Sequence, residues 1–540
     1  MNIYAKMVRK ITLDELFTGL LGHGLFADKL PNVFTSEFFM KYCKKKYTNY
    51  ICKKAHEWID VDIMRNTGVP RTLGIPNPFS YYNACYMLKE KWPFLQGYFQ
   101  EQTNNWHHKV SRIHIRKRKN SKALFAMNYT NWKIDGTPQE EWMIGCKYVV
   151  KADISSCFPS IYTHALTWAL MGKDKAKQEY KKTEKKRSEL YRFCDDIDYF
   201  TRAMKNNETK GLLIGPHTSN LLSEVILTRI DKTLVEHNWH YERHIDDYRC
   251  YVSTYEDAKR FLVDLHQQLR IYDLNLNYKK TKIESLPLGK MEVWVNQLNM
   301  VGMAILPNNN PDKISPLPLD YQRVKQYLNY AIQLTIDVQD TAVLNYAIKV
   351  IGNSEKFILQ ERAQRYFYNT ALYLAGIYPY LLRELDTYVF PMEIQDKTKK
   401  KSLVKQALQH AKEIDQYEEA YYTIIFDIKY DLGLETELEN LDDYYQWIQH
   451  SSDCLLKLFG WLWAKKNHHQ DKAQELEQHA KYLAEIGEWD KNWLFCYECL
   501  SVKNIKDLVN SKCIEQDWKQ IKKDNVSFLQ DYWRKIASLN

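Results

Sequence analysis

At 540 residues the chain exceeds what one hydrophobic core usually organises, so at least two domains are expected. The formal charge of +9, from 76 Lys and Arg against 67 Asp and Glu, is a modest excess with no polybasic tail, so the placement of charge matters more than its amount. Eleven cysteines, an odd number without regular spacing, exclude a disulfide-built secreted fold, and no apolar run reaches the length of a membrane span or a signal peptide. A soluble protein of a reducing cytoplasm, without a membrane partner, is expected. Aromatic residues make up 14% of the chain, with 39 Tyr and 15 Trp, which supplies core fillers first and base-stacking surfaces second.

In chain order, the first distinctive segment is a basic run of Arg112, His114, Arg116, Lys117, Arg118, Lys119 and Lys122, which reads as a phosphate-binding surface or a solvated hairpin. Next, Tyr148-Val149-Val150-Lys151-Ala152 predicts a short strand ending in Asp153, with Phe158 five positions on at the start of a helix. Lys173 to Glu189 alternates in charge and predicts one exposed helix. Lys210 to Leu222 predicts a glycine turn at Gly215-Pro216 running into an apolar helix; a glycine there lets a base or nucleotide approach the backbone, with Ser219 and Asn220 as local hydrogen-bonders.

Tyr241 to Val252 then places Asp246 and Asp247 between two β-like runs, as at the tip of a hairpin. A strand-end Asp beside a hairpin Asp pair concentrates hard oxygen ligands. That is what nucleotidyl transfer needs to hold two Mg²⁺ ions (or Mn²⁺), roughly 3.5–4 Å apart, at the attacking hydroxyl and the leaving pyrophosphate. Prolines at 307, 311, 316 and 318 mark a domain edge. Beyond it apolar residues recur at helical spacing, as in Leu344, Ala347, Ile348 and Ile351. Segments 422–430, 454–463 and 482–489 read likewise as helical. Cys496 and Cys499 have CxxC spacing, but neither a second pair nor a His pair stands near to complete a zinc site.

Taken together, the segments around Asp153, Gly215 and Asp246-Asp247 resemble motifs A, B and C of reverse transcriptases. Val69-Pro70-Arg71-Thr72-Leu73-Gly74-Ile75-Pro76-Asn77-Pro78 with Tyr81 looks like the fingers motif of bacterial members, and Leu274 to Lys282 looks like motif D. The resemblance covers residues 60 to 290. It implies an α+β reverse-transcriptase fingers and palm domain over residues 1–310. An all-α, helical-repeat-like domain over 311–540 follows from the apolar spacing, with HEAT-like stacking as one form.

The resemblance implies Asp153, Asp246 and Asp247 as catalytic acids and metal ligands, with the Ile154 carbonyl completing a shell. It implies Phe158 beneath the incoming sugar, selecting deoxynucleotides, and Gly215 and Pro216 near the nucleotide. Arg71 is implied at the triphosphate or base and Lys280 as general acid or phosphate counter-charge, with Lys279 and Lys282 competing for that place. His244 stands where the familiar signature has an aromatic supporting the primer end, which loosens how a primer is held.

A long helical region after the palm looks like the abortive-infection and other defence-associated reverse transcriptases. That resemblance implies an antiviral (antiphage) DNA polymerase using dNTPs, frequently a homo-oligomer. Synthesis would be template-independent with DNA covalently attached to a priming hydroxyl, or guided by a non-coding RNA. Tyr4, Tyr42, Tyr47 and Tyr50 are available as primers and none stands out. A conventional RNA-templated reverse transcriptase, as in retrons or mobile elements, and a catalytically silent nucleic-acid-binding scaffold are the alternatives.

Overall fold

The computed structural model describes residues 8–51, 54–66, 68–103, 143–287, 293–303, 316–392 and 397–539. The basic run of 112–122, Tyr4, Pro307, Pro311 and the expected boundary at 310/311 lie outside the described residues.

Two antiparallel sheets organise the first part. Strands β1 (Trp58–Ile63) and β2 (Arg71–Pro76) form a hairpin in full register, Ile63 opposite Arg71. The second sheet has the order β4-β5-β3-β6, with β3 (Tyr148–Asp153) central, β5 (Asp247–Val252) and β4 (Tyr241–His244) on one side and β6 (Lys282–Ser285) on the other. Its apolar and β-branched residues suit β3 to that central place. The helix Tyr255–Ile271 packs on β3 and β5 and is capped by Thr254, whose hydroxyl accepts the Asp257 N–H at 3.1 Å. The helices Pro78–Thr103 and His217–Glu236 pack on each other, joined by a 2.8 Å hydrogen bond from the Tyr98 hydroxyl to the Val225 carbonyl.

The region expected to be purely helical departs from that in one place. It opens with a short parallel pair, β7 (Leu317–Leu319) and β8 (Phe357–Leu359), bridged by the helices Tyr321–Val338 and Ala342–Ile351. A parallel pair needs such a crossover, so two strands are admitted without disturbing the helical spacing around them. Further on, sequence neighbours pair, Lys397–Glu413 with Tyr417–Tyr430 and Cys454–Lys466 with Gln470–Glu485. Two local readings are corrected. The apolar stretch 482–489 is not one helix, since the helix stops at Glu485 and Gly487 turns at φ +84°. Lys173 to Glu189 is likewise interrupted. A helix covers Lys173–Tyr180, then Glu179 accepts the Ser188 N–H at 2.7 Å and the Arg187 guanidinium stacks 5.5 Å from the Tyr180 ring centre.

The far end of the chain returns to its beginning. Thr35 N–H donates to the Phe528 carbonyl at 2.8 Å and Gln530 N–H to the Val33 carbonyl at 2.9 Å, while Phe39 lies 5.5 Å from Phe528. Asn66 bonds Asp340 at 3.0 Å and accepts from Thr341, and Asn77 donates to Asp490 at 3.1 Å. One continuous apolar core runs from Val8 to Ile536, so the helical region is packed onto the first part of the chain rather than tethered to it.

Candidate active site

Strand register brings the acids together. Asp153 ends β3 directly opposite Asp247, which begins β5, and His244 at the end of β4 also faces Asp247 across the hairpin. The turn between β4 and β5 is only Ile245 and Asp246. Such a tight turn demands left-handed backbone, which Ile245 supplies at φ +57° despite its branched Cβ. The Ile154 N–H donates to the Asp246 carbonyl at 3.1 Å, tying the turn to the end of β3. The segment after the Tyr255–Ile271 helix closes the other side. Asn277 N–H bonds the Asp153 carbonyl at 2.7 Å, Asn277 Nδ2 bonds Asp153 Oδ1 at 3.1 Å, and Lys280 Nζ reaches Asp153 Oδ2 at 2.8 Å.

The electrostatics follow from this crowding. Withdrawal from water and the neighbouring carboxylates of Asp246 and Asp153 push Asp247 up to about 6. Asp246 is likewise raised, by burial and then by Asp153, while Lys280 and Arg71 pull it back. Lys280 is raised by its bond to Asp153. All three lysines of this segment are exposed, and Lys280 is the one in contact with an acid of the site. Among the described residues, no three His, Cys, Asp or Glu side chains stand ready-formed as a metal cage, and the Asp153 oxygens are engaged by Lys280 and Asn277. The donor chemistry nonetheless fits a hard divalent cation, since clustered carboxylates that hold one another's pKa up are hard anionic oxygens short of positive charge.

The glycine turn is built for chain packing. Gly211 N–H and Leu212 N–H donate to the Ile161 and Phe158 carbonyls, both at 2.8 Å, so this segment holds the short helix Cys157–Ser160 that carries half-buried Phe158. Gly215 adopts φ +130°, and a Cβ there would meet the Ala27 side chain at 3.2 Å and the Gly74 carbonyl at 3.4 Å. Its glycine is therefore required by close approach to Ala27 and the β2 backbone, independently of any nucleotide. Pro216, buried, caps the helix His217–Glu236. Arg71 begins β2 within electrostatic reach of Asp246.

Beneath the hairpin lies a charge cluster that sequence reasoning passed over. Arg243, on β4 and 1% exposed, donates to both Asp231 oxygens at 3.1 and 3.0 Å through Nε. It reaches Glu224 at 3.0 and 2.9 Å, and Nη1 bonds the Ile245 carbonyl at 2.7 Å. Tyr241 adds a 2.7 Å bond to Asp231. The signal was present, since Glu224 and Asp231 stand seven apart, on one face of the helix, and an arginine occupies an inward position of a strand. This cluster pins the strained Ile245 turn and with it Asp246.

Of the tyrosines named for priming, the three that are described are engaged elsewhere. The Tyr47 hydroxyl bonds Asp517 at 3.2 Å, the Tyr50 hydroxyl bonds Glu90 at 2.5 Å, and Tyr42 is buried against Tyr47. Cys496 and Cys499 are buried, and their sulfurs point to the Ala480 and Cys496 carbonyls. Burial pushes both thiols up, as for structural cysteines.

The family described as reverse transcriptase (RNA-dependent DNA polymerase) matches residues 120–305, the span that carries all three acids and Lys280. The match is to a reverse-transcriptase domain, and residues 143–287 and 293–303 of it are among those described. No curated protein matches the chain in sequence. Among solved structures it is similar to apo telomerase of Candida tropicalis truncated from its C-terminal domain, at 14% identity over 47% of this chain and 55% of that one, with a TM-score of 0.28. It is similar also to Candida tropicalis telomerase with a TWJ fragment of telomeric RNA, at 15% identity over 72% and 66% of the two chains, TM-score 0.29. The Candida albicans counterpart gives 10% identity over 81% and 67%, TM-score 0.29. The chain thus spans between about half and two thirds of these telomerases. Among the described residues, no helix is long and apolar enough to cross a membrane.

Proposed function

We propose that the chain is a DNA polymerase of reverse-transcriptase type that adds deoxynucleotides to a hydroxyl. The observation that carries this reading is the register of Asp153 against Asp247 with Asp246 at the adjoining turn. Two divalent ions, magnesium or manganese, would be held by Asp153, Asp246, Asp247 and the Ile154 carbonyl, and would supply Lewis acidity at the attacking oxygen and the pyrophosphate. In the reaction the hydroxyl gives its proton to water as its oxygen bonds to the α-phosphorus of a dNTP, the bond from that phosphorus to the bridging oxygen breaks, and pyrophosphate leaves. Lys280, charged and beside Asp153, neutralises or protonates the departing oxygen. Arg71 orients the triphosphate with its planar donors. Phe158 underlies the sugar, with Gly215 and Pro216 shaping the nucleotide's surroundings and His244 supporting the end being extended.

The finer reading is an antiphage polymerase of the abortive-infection kind, acting as a homo-oligomer, either template-independent with DNA joined to its own hydroxyl or guided by a non-coding RNA. A helical region packed onto the fingers supports it, because it sets this chain apart from a palm that ends in a simple thumb. RNA-templated synthesis is the second reading, favoured by the family match over 120–305. Incubation with Mg²⁺ and labelled dNTPs, without template or primer, separates them on a denaturing gel. Label retained on protein and lost in Asp246→Asn supports self-primed synthesis, label only with added RNA supports the second reading, and no label under either condition sinks both.

A further inference from the structure

Arg71 faces two ways. It acts on Asp246, and it lines a cavity of about 740 Å³ between the N-terminal segment, the end of the fingers hairpin and the helical region. Six cations line this cavity, Lys29, Arg65, Arg71, Lys349, Arg383 and Lys429, against the acids Asp28, Glu384 and Asp386. Two of the acids are already taken. Glu384 lies 3.1 Å from Lys349 and 3.6 Å from Arg383, and Asp386 lies 2.7 Å from Lys429.

The remaining positive charge converges on Lys29. Withdrawal from water and the guanidinium groups of Arg71, Arg383 and Arg65 bring its ammonium down to about 8, with Glu418 opposing them. Burial is the larger part of this, and the three guanidinium groups, each with a larger effect than Glu418, add a positive potential around Lys29. The arrangement is a focus, not a track. Strand-binding surfaces spread their cations along a groove, because a nucleic-acid backbone carries one charge per nucleotide. Forked arginine donors gathered around one lysine match several charges on adjacent phosphorus atoms.

We propose that this cavity is a second ligand site that binds condensed phosphate, without a metal ion, through Lys29, Arg65 and Arg383. The ligand is either released pyrophosphate or the triphosphate tail of a nucleotide. Arg71 borders both this cavity and the carboxylate-lined site, but Lys29, Arg65 and Arg383 belong to the cavity alone, and binding through them does not rest on the polymerase reading. Its test needs no synthesis. Inorganic tripolyphosphate, pyrophosphate and dATP are titrated calorimetrically into the full chain in excess EDTA.

Saturable binding of the inorganic ligands is expected, falling as salt rises. Lys29→Gln and Arg383→Gln should each weaken it by roughly tenfold, the loss of one charge-assisted contact. Glu384→Gln should tighten it, by releasing Lys349 and Arg383, a gain that a misfolded variant would not give. Competition by dATP assigns the nucleotide tail as the source, and failure of dATP to compete assigns pyrophosphate. The proposal is overturned if neither inorganic ligand binds, if all three variants bind like the parent, or if only single-stranded DNA binds in a Lys29-dependent way.

Discussion

Two charged clusters meet at the Ile245–Asp246 turn, and they are balanced in opposite ways. Above it, Asp153, Asp246 and Asp247 crowd together with Lys280 in contact and Arg71 at longer reach, and the strain shows as an Asp247 carboxyl pushed up to about 6. Below it, Glu224 and Asp231 are deeply buried, yet Arg243 meets both through paired bonds of 2.6 to 3.1 Å. Burial alone therefore does not mark the proposed catalytic cluster. What distinguishes it is charge left uncompensated where a ligand can reach, whereas the structural cluster is closed by its own donors.

The sharpest way to break this contrast is to neutralise one member of each. Asp246→Asn should lower nucleotide incorporation by at least roughly a thousandfold, several kcal/mol of transition-state stabilisation. The metal-free protein should melt no lower than the parent, because a repulsion has been removed. Magnesium should also cease to raise the melting temperature. Arg243→Met should do the reverse, unfolding the protein by about 3–5 kcal/mol in urea denaturation because two buried carboxylates lose their mate. Adding Glu224→Gln and Asp231→Asn should recover part of that loss. If Arg243→Met is as stable as the parent, the lower cluster is not structural.

Glu418 stands between these extremes, a buried acid at the contact of the helical region with the fingers, accepting the Met64 N–H. Burial raises it from 4.5 to about 7. Because the folded value lies above the unfolded one, the folded state holds the extra proton between them. Stability from this group is complete below about 4.5 and is lost as pH climbs to about 7, by at most about 3 kcal/mol. Glu418→Gln keeps an acceptor for Met64 and cannot ionise. It should melt like the parent at pH 4.5 and well above it at pH 8, and equal melting curves at pH 8 would remove Glu418 from the comparison.

Local chemistry made the upper cluster legible and left the lower one obscure. Adjacent acids between β-like runs announced the Asp246-Asp247 hairpin, and a β-branched run announced β3, because both signals lie within a few residues. Which lysine meets Asp153 was open among three, since it depends on how residues 274–282 lie against the end of β3. The demand on Gly215 comes from Ala27 and Gly74, distant in sequence. The return of Phe528 to Thr35 is a backbone contact between chain ends and carries no side-chain signature. Arg243 was visible as a letter, but its meaning required knowing that β4 faces the helix bearing Glu224 and Asp231.

The smallest expected effect concerns Lys280, and it decides what the upper cluster's main cation does. Its bond to Asp153 holds its pKa above the ordinary lysine value, so it stays charged through the neutral range. As an acid or counter-charge for departing pyrophosphate, its loss in Lys280→Gln should cost roughly 10- to 100-fold in kcat, or about 1.4–2.7 kcal/mol, with little change in KM for dNTP. Lys280→Arg should recover part of the rate if charge suffices, and none if proton donation is required, because guanidinium does not release a proton near neutrality. Lys279→Gln and Lys282→Gln, which alter exposed neighbours, provide the background. If instead Lys280 only offsets Asp153 before a cation arrives, Lys280→Gln should bind magnesium more tightly and keep its rate, and its part in the chemistry would fall away.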